Sequence, residues 1–169
     1  MTEKLARRGL HIHQDYETDI LQQVKVAETM DRTVPSIPAN MLVSELAERI
    51  AKPDPVVSQH QGLFIVDPQG FLEGVITRGD VLRALDEDPA GAVTVLEAGS
   101  KDPVVAFPDE LISDASDKML RYEIGRLPVV ERSDPRKLVG YLGRHGIMAA
   151  RLRRLHEEHV REPGWFRRF

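Results

Sequence analysis

The sequence predicts an α/β fold made of two β-α-β-β-α repeats. The first observation is a strand-to-helix junction. The hydrophobic segment 72–76, apolar apart from Glu73, indicates a strand that ends at Thr77, and apolar residues recur at helical spacing from Asp80 onward. The second observation is that the order of prolines, turns and apolar stretches in residues 26–91 returns in residues 92–155, about 65 to 70 residues later. Such a period indicates two copies of one structural unit.

The first repeat has its predicted elements in a clear order. Pro35 and Pro38 favour extended chain after an opening segment. The next helix, predicted over residues 41–50, carries one apolar face, and Asn40 is its predicted N-cap. The remaining elements are a strand over residues 63–66, a turn over 67–70, a strand over 71–76 and a helix over 80–85.

The second repeat follows the same order. Pro103 and Pro108 again mark extended chain, and a helix is predicted from Leu111 to about Tyr122. The remaining elements are a strand over residues 127–131, a turn over 133–136, and a strand and helix start over 138–147. The matching order predicts the same fold for both repeats.

Composition excludes several classes of function. The 169-residue chain has 41% hydrophobic residues, no cysteine and a formal net charge of −4, so we expect a globular core, no disulfide or thiolate metal site, and no nucleic-acid partner. No apolar run has the roughly 20 residues of a membrane span. No HExxH, GxSxG or Walker motif is present, so an enzyme is not expected. The histidine pairs at residues 11/13 and 156/159 are interpreted as surface side chains rather than metal ligands.

The junction at residues 77–80 is the strongest candidate site. A helix start presents backbone N–H groups, and a hydroxyl from Thr77 with a carboxylate from Asp80 would bind a ribose or another polyol there. The alternative is that Asp80 only caps the helix. In the second repeat Gly143 and Gly146 take these two positions, so any site that uses them is asymmetric.

The two repeats resemble a tandem pair of CBS domains, the cystathionine beta-synthase type repeat, also called a Bateman module. The resemblance rests on the β-α-β-β-α order, on Leu-Pro-Val-Val-Glu at residues 127–131 and on Gly-Val-Ile-Thr-Arg-Gly-Asp-Val-Leu at residues 74–82. It implies pseudo-two-fold packing of the repeats, with two clefts between them that hold adenine nucleotides (ATP, ADP or AMP) as regulatory ligands. It also implies a homodimer.

The resemblance implies residues for both clefts. In the better cleft Asp80 would accept hydrogen bonds from the ribose hydroxyls, and the other candidate contacts are Thr77, Arg78, Pro103, Val104, Ile124, Gly125 and Arg126. Arg78 and Arg126 are the phosphate candidates among them, because guanidinium matches phosphate geometry. The second, weaker cleft lacks the ribose carboxylate and would use Val34, His60, Gln61, Gly62, Arg144 and His145, with Gly146 in the place of Asp80.

The flanking segments suggest a context. Residues 3–30 resemble the segment that joins the last membrane helix of prokaryotic CLC chloride channels or transporters to their cytoplasmic CBS pair. The implied protein is a regulatory module on the cytoplasmic side of the cell membrane, attached to the transport domain of the same polypeptide and modulating ion transport. Two alternatives are a ligand-free dimerisation module and a stand-alone nucleotide sensor. Residues 1–25 would form the lead-in, and 156–169 a basic, aromatic tail that contacts lipid, contacts a partner or packs back on the module.

Overall fold

The computed structural model describes residues 21–161, except for the side chains of residues 158–161. Its elements follow the predicted order and confirm the mixed α/β class with two repeats. The strands are β1 (Ser36–Pro38), β2 (Gly62–Val66), β3 (Leu72–Thr77), β4 (Ser100–Lys101), β5 (Arg126–Val130) and β6 (Leu138–Gly143). The helices are α1 (Val43–Ala51), α2 (Arg78–Glu87), α3 (Val95–Ala98), α4 (Ile112–Arg121) and α5 (Arg144–Arg161), and a 3-10 turn covers Val26–Glu28.

Four strands form one sheet in the order β1-β2-β3-β4, and β5 pairs with β6 in a second sheet. β1 runs parallel to β2, whereas β2 and β3, and β3 and β4, are antiparallel. The register of the β2–β3 pair sets Gly62 opposite Thr77. The start of β2 therefore lies beside the end of β3, which determines which side chains surround the candidate site.

The chain divides into two compact units. Unit A comprises Arg32–Val105 and Pro128–Tyr141. Its core is an aliphatic cluster in which α1 and α2 pack with the sheet: Ile37, Val43, Leu46, Val57, Leu63, Ile65, Ile76, Val81, Ala84 and Val95. The opening segment of the second repeat, α3 and β4, lies in this unit. Gly74 permits the close approach of β4, because a Cβ at this position would lie 2.6 Å from the Ser100 carbonyl oxygen.

Of the described residues, unit B comprises 21–31, Ala106–Leu127 and 142–161. Val24, Ile112 and Ala150 form a buried cluster there. The amide of Ile112 donates to the Val24 carbonyl at 2.9 Å. The Val26 amide, at the opening of the first repeat, donates to the Glu110 carbonyl at 2.8 Å. The lead-in and the opening of the first repeat thus pack with the second repeat, so the compact units do not follow the repeat boundaries along the chain.

Two predicted helix starts were wrong. Leu42, and not Asn40, is the N-cap of α1, and its amide donates to the Glu45 carboxylate at 3.0 Å. α2 begins at Arg78, two residues before the predicted Asp80, with Thr77 as its N-cap. A glutamate or aspartate at the third helical position satisfies the N-cap amide in both cases. The predicted features of residues 1–20 and 162–169 lie outside the described residues.

Candidate ligand-binding site

A reciprocal capping box stands at the end of β3. Asp80 Oδ2 accepts from the Thr77 amide at 2.8 Å and from Thr77 Oγ1 at 2.7 Å, and the Asp80 amide donates back to Thr77 Oγ1 at 3.2 Å. Asp80 Oδ1 accepts from Arg83 Nη2 at 3.1 Å. The Asp80 side chain is 13% exposed and that of Arg83 is 66% exposed. The predicted carboxylate therefore caps the helix, and a solvent-exposed arginine contacts its outer oxygen.

The register of β2 and β3 places a second segment beside this box. Gly62 is opposite Thr77, and the Arg78 amide donates to the Gln61 carbonyl at 3.1 Å. Together with His60, these residues line one small cavity of about 10 Å³. The structure thus joins Thr77 and Arg78 to residues 60–62, which the sequence analysis had assigned to the other cleft. Antiparallel pairing within one repeat, which the sequence alone did not reveal, is the reason.

Arg78 lies over the segment that precedes β2. Its Nη2 donates to the Ser58 carbonyl at 2.8 Å, while its Nε is buried and has no hydrogen-bond partner. The next residue, Gly79, is exposed, and no described group accepts a hydrogen bond from its amide. A helix start with a free amide and a partly unsatisfied guanidinium favours an anion. Arg78 was predicted as a phosphate contact, but nothing in the sequence indicated Ser58.

A turn built on Asp54 supports the segment that contains Ser58. The Asp54 carboxylate accepts from Arg49 Nε at 2.9 Å and from the amides of Val56 and Val57 at 2.9 and 3.1 Å. The Ser58 amide donates to the Asp54 carbonyl at 2.8 Å. The hydrogen bond from Arg49 holds the pKa of the Asp54 carboxyl below its usual value, against a smaller opposing effect of burial. The turn therefore fixes the carbonyl that Arg78 contacts.

An aromatic group flanks the site in unit A. The Tyr141 ring meets His60 edge to face at 6.1 Å between centroids and lies 5.7 Å from the ring of Phe64. Phe64 is fully buried. The sequence analysis missed Tyr141, because its strand belongs to the second repeat and no local motif relates it to residue 60.

The other candidates in unit A lie elsewhere. Pro103 and Val104 follow β4 and are half-buried. Pro103 lines a larger cavity, of about 600 Å³, at the beginning of β3, with Glu73, Lys101 and Arg136 among its walls. Thr77 and Arg78 do not line that cavity. Val34 is half-buried and lies two residues before β1.

The remaining candidates belong to unit B. Ile124 and Gly125 precede β5, and Arg126 is its first residue. A Cβ on Gly125 would lie 3.8 Å from Arg144 Nε, so here too the segment before a central strand adjoins the helix start of the same repeat. Arg144 and the following histidine, His145, are exposed at the start of α5.

Packing explains why the second repeat has a glycine, Gly146, where the first repeat has Asp80. A Cβ at this position would lie 3.2 Å from the Thr29 carbonyl oxygen and 3.4 Å from Leu142 Cδ1. Thr29 Oγ1 also donates to the Gly146 carbonyl at 2.8 Å. The second junction is therefore occupied by the protein's own backbone.

The described side chains, those of residues 21–157, include no cluster of three or more histidine, aspartate or glutamate residues suited to a metal ion. No helix within residues 21–161 has the length and apolar character of a membrane span.

These repeats define a tandem β-α-β-β-α protein with a capped helix start as its candidate site. A CBS domain family model matches residues 26–87 and 95–153. The chain therefore belongs to the CBS domain family and contains a tandem CBS pair.

Two curated relatives differ in how much of them the chain covers. It is 31% identical over 111 residues to the CBS domain-containing protein YhcV of Bacillus subtilis. The aligned region covers 64% of this chain and 74% of YhcV. It is 28% identical over 112 residues to the arabinose 5-phosphate isomerase KpsF of Escherichia coli, covering 65% of this chain. That match spans only 32% of KpsF.

Solved structures show the same fold. The CBS domain pair of protein MJ0100, in complex with 5′-methylthioadenosine and S-adenosyl-L-methionine, is 26% identical with a TM-score of 0.61, covering 80% of this chain and 98% of that one. CBSX2 in complex with AMP is 23% identical with a TM-score of 0.64, covering 78% and 98%. CBSX2 is a protein of Arabidopsis thaliana.

Proposed function

We propose that this chain is a regulatory CBS pair that binds an adenine nucleotide or a related adenosyl compound at the Thr77–Asp80 junction. The observation that carries the proposal is the convergence of the Thr77–Asp80 box, Arg78 and residues 60–62 at one end of the β2–β3 pair. In this proposal the Asp80 carboxylate accepts hydrogen bonds from the ribose hydroxyls, which displace Arg83. The contact of Arg83 with Asp80 is solvent-exposed and weak. The adenosyl ligands of the similar MJ0100 pair support this ligand class.

The remaining predicted contacts keep their place in the proposal. Pro103, Val104, Ile124 and Gly125 are candidates for the adenine end of the ligand, and Arg126, like Arg78, is a candidate for its phosphate. A second, weaker cleft uses Val34 and residues 144–145. We propose a regulatory role without an enzymatic step. Ligand binding acts by favouring one of two conformations, with a coupling of about 1 to 3 kcal/mol.

Isothermal titration of the purified chain tests this proposal. AMP, ADP, ATP, 5′-methylthioadenosine and S-adenosyl-L-methionine are titrated separately. At least one is expected to bind with a stoichiometry of one per chain and a Kd between about 1 μM and 1 mM. Absence of heat and of any thermal shift with all five at millimolar concentration contradicts the proposal.

A ligand-free structural module is the second candidate. One observation favours it: both oxygens of the Asp80 carboxylate are already hydrogen-bonded within α2 and its cap. In that case substitution of Asp80 changes stability alone, and the titrations above give no heat.

The chain is further proposed to form a homodimer through exposed apolar side chains on its helices. Leu82 on α2 is 70% exposed, and Met148, at the equivalent position of α5, is 51% exposed. Equivalent apolar residues on both repeats suit a symmetric contact with a second copy. Sedimentation equilibrium is expected to give twice the 19.0 kDa chain mass, and Leu82→Glu with Met148→Glu to give the monomer. A monomeric wild type contradicts this proposal.

The membrane context is a separate proposal that rests on residues 3–30. In it the pair regulates a CLC-type chloride channel or transporter from the cytoplasmic side of the membrane, as part of the same polypeptide. A stand-alone sensor is the alternative, and it accords with the 74% coverage of YhcV. Fractionation of cells that express the protein from its own gene separates the two. A pellet resistant to alkaline washing supports the transporter, and recovery in the supernatant supports the stand-alone sensor.

A further inference from the structure

A large cavity lies at the opposite end of β3 from the Thr77–Asp80 junction. Its volume of about 600 Å³ is in the range of small-molecule sites, and the residues that line it all belong to unit A. Because β4 is antiparallel to β3, with Lys101 opposite Gly74, the chain after Lys101 runs towards the beginning of β3. That end of the strand is about 17 Å from Thr77. Among the nucleotide candidates, all of which the structure describes, only Pro103 lines this cavity.

Aliphatic side chains form the apolar part of the cavity surface. Leu72, at the start of β3, is buried, and Leu96, on α3, is half-buried. Val105 and the rings of Pro103 and Pro135 extend this surface. Such walls can remove an aliphatic group of a ligand from water.

Arg136 contributes a positive charge to the cavity that is already paired. Its Nη2 lies 3.0 Å from Asp67 Oδ2 and 3.6 Å from Glu73 Oε1. Its guanidinium also lies over the ring of Phe71, 5.5 Å from the centroid. Asp67 is thus the close partner of Arg136, whereas the Glu73 contact is longer than a hydrogen bond. The Glu73 carboxylate, 31% exposed, therefore keeps the capacity to accept hydrogen bonds from a ligand.

Lys101 and Asp102 bring one charge of each sign to the same cavity. Both are exposed, and no described residue forms a hydrogen bond or an ion pair with either side chain. Lys101 acts on Glu97 through its charge alone, and that carboxylate already accepts two hydrogen bonds from Thr94. Asp102 has a φ of 53° and is followed by a proline. The cavity therefore holds its unpaired carboxylate on a backbone conformation that is uncommon outside glycine.

We propose that this cavity binds a zwitterionic α-amino acid with an aliphatic side chain. The carboxylate of the ligand pairs with Lys101, its ammonium group pairs with Asp102 and Glu73, and its side chain packs on the apolar walls. Lys101 and Asp102 are consecutive in the chain and both line the cavity, as a ligand that carries its two charges on one carbon requires. This site is independent of nucleotide binding at the Thr77–Asp80 junction.

Amide NMR titration with L-leucine locates the site. L-leucine is added up to about 10 mM and is expected to bind with a Kd between about 10 μM and 1 mM. Amides of residues 72–74 and 100–102 are expected to shift, while those of residues 77–81 stay unchanged. Absence of shifts, or shifts at residues 77–81 in place of these, overturns the proposal. Asp80→Asn, which should weaken AMP, is expected to bind L-leucine like the wild type, so the failure of either site is seen separately.

Analogues of L-leucine that lack one charge test the recognition of a zwitterion. 3-Methylbutylamine has no carboxylate, and 4-methylpentanoate has no ammonium group. Each is expected to bind at least about tenfold more weakly than L-leucine. If either binds as tightly as L-leucine, the cavity recognises a single charge and the proposal is overturned.

Charge variants separate the roles of the two residues. Lys101→Met is expected to weaken L-leucine about tenfold and leave 3-methylbutylamine unchanged, whereas Asp102→Asn should weaken both and leave 4-methylpentanoate unchanged. Asparagine tolerates the left-handed conformation as aspartate does, so Asp102→Asn keeps the fold. Lys52→Met and Asp86→Asn remove the same charges from exposed positions of unit A and should leave L-leucine binding unchanged. Equal effects of all four variants, or no effect of Lys101→Met and Asp102→Asn, overturn the assignment.

Discussion

Replacement of Asp80 by alanine separates the capping role of this carboxylate from its proposed ligand role. Asp80 accepts two hydrogen bonds from Thr77 and one from Arg83. Loss of the cap and of the favourable charge at the helix start is expected to destabilise the chain by about 1 to 2 kcal/mol. The Arg83 contact adds little, because that side chain is 66% exposed. Thermal unfolding should report this as a lower Tm, by about 2 to 4 °C per kcal/mol.

The effect on binding is expected to be larger. A carboxylate that accepts from two ribose hydroxyls contributes about 3 kcal/mol in charge-assisted hydrogen bonds, which corresponds to roughly a 100-fold increase in Kd on its removal. Asp80→Asn keeps an acceptor for the cap but loses the charge, so it should retain more stability than Asp80→Ala while still weakening AMP. Calorimetric titration and melting curves of the same samples provide both quantities.

A second capping box supplies the matched control. Thr94 and Glu97 make the same three contacts at the start of α3, at 2.8, 2.9 and 3.2 Å. Those contacts hold the pKa of the Glu97 carboxyl below its usual value, chiefly through the Thr94 amide. Glu97→Ala should therefore lower the Tm without changing the Kd for AMP. If Asp80→Ala leaves the AMP affinity within about twofold of the wild type, the ribose assignment is refuted.

Three further predictions concern the framework of the site. Gly74→Ala places a Cβ 2.6 Å from the Ser100 carbonyl oxygen, so it should lower the free energy of unfolding by about 1 to 3 kcal/mol. An unchanged denaturation midpoint contradicts this. The pKa of Asp54 is lowered, mainly by Arg49. The ionised Asp54 carboxylate therefore stabilises the folded chain above the unfolded pKa of about 3.9, and this stabilisation is lost as pH falls through the lower pKa of the folded state. Amide exchange of residues 56–58, corrected for intrinsic rates, should rise in that acid range, but show no such pH dependence in Asp54→Asn. Gly146→Asp should reduce Tm and add no second equivalent of AMP, since a backbone carbonyl lies 3.2 Å from the new Cβ; a stoichiometry of two disproves this.

The fold was more predictable from sequence than the grouping of the site residues. Apolar spacing and the recurrence of turns determine each element locally, so the two repeats were predicted in the correct order. The start of α2 was placed at Asp80 instead of Arg78, because an aspartate suits the N-cap as well as the third helical position. The proximity of residues 60–62 to Thr77 depends on strand register, which no local pattern specified.

Long-range packing was the other part that the sequence did not reveal. Gly146 could be recognised as the counterpart of Asp80, but the carbonyl of Thr29 that occupies its side-chain space comes from a segment 117 residues away. The same is true of α3 and β4, which begin the second repeat yet pack with the core of unit A. Apolar periodicity shows which face of an element is buried, and not which element covers it.

The central claim, that the Thr77–Asp80 junction binds an adenine nucleotide or adenosyl compound, is tested most directly by calorimetric titration of the wild-type chain with AMP and with 5′-methylthioadenosine. The account predicts one ligand per chain with a Kd between about 1 μM and 1 mM, and weaker binding in Asp80→Asn. No heat from either ligand at millimolar concentration, with the chain folded by circular dichroism, contradicts it and favours the ligand-free module.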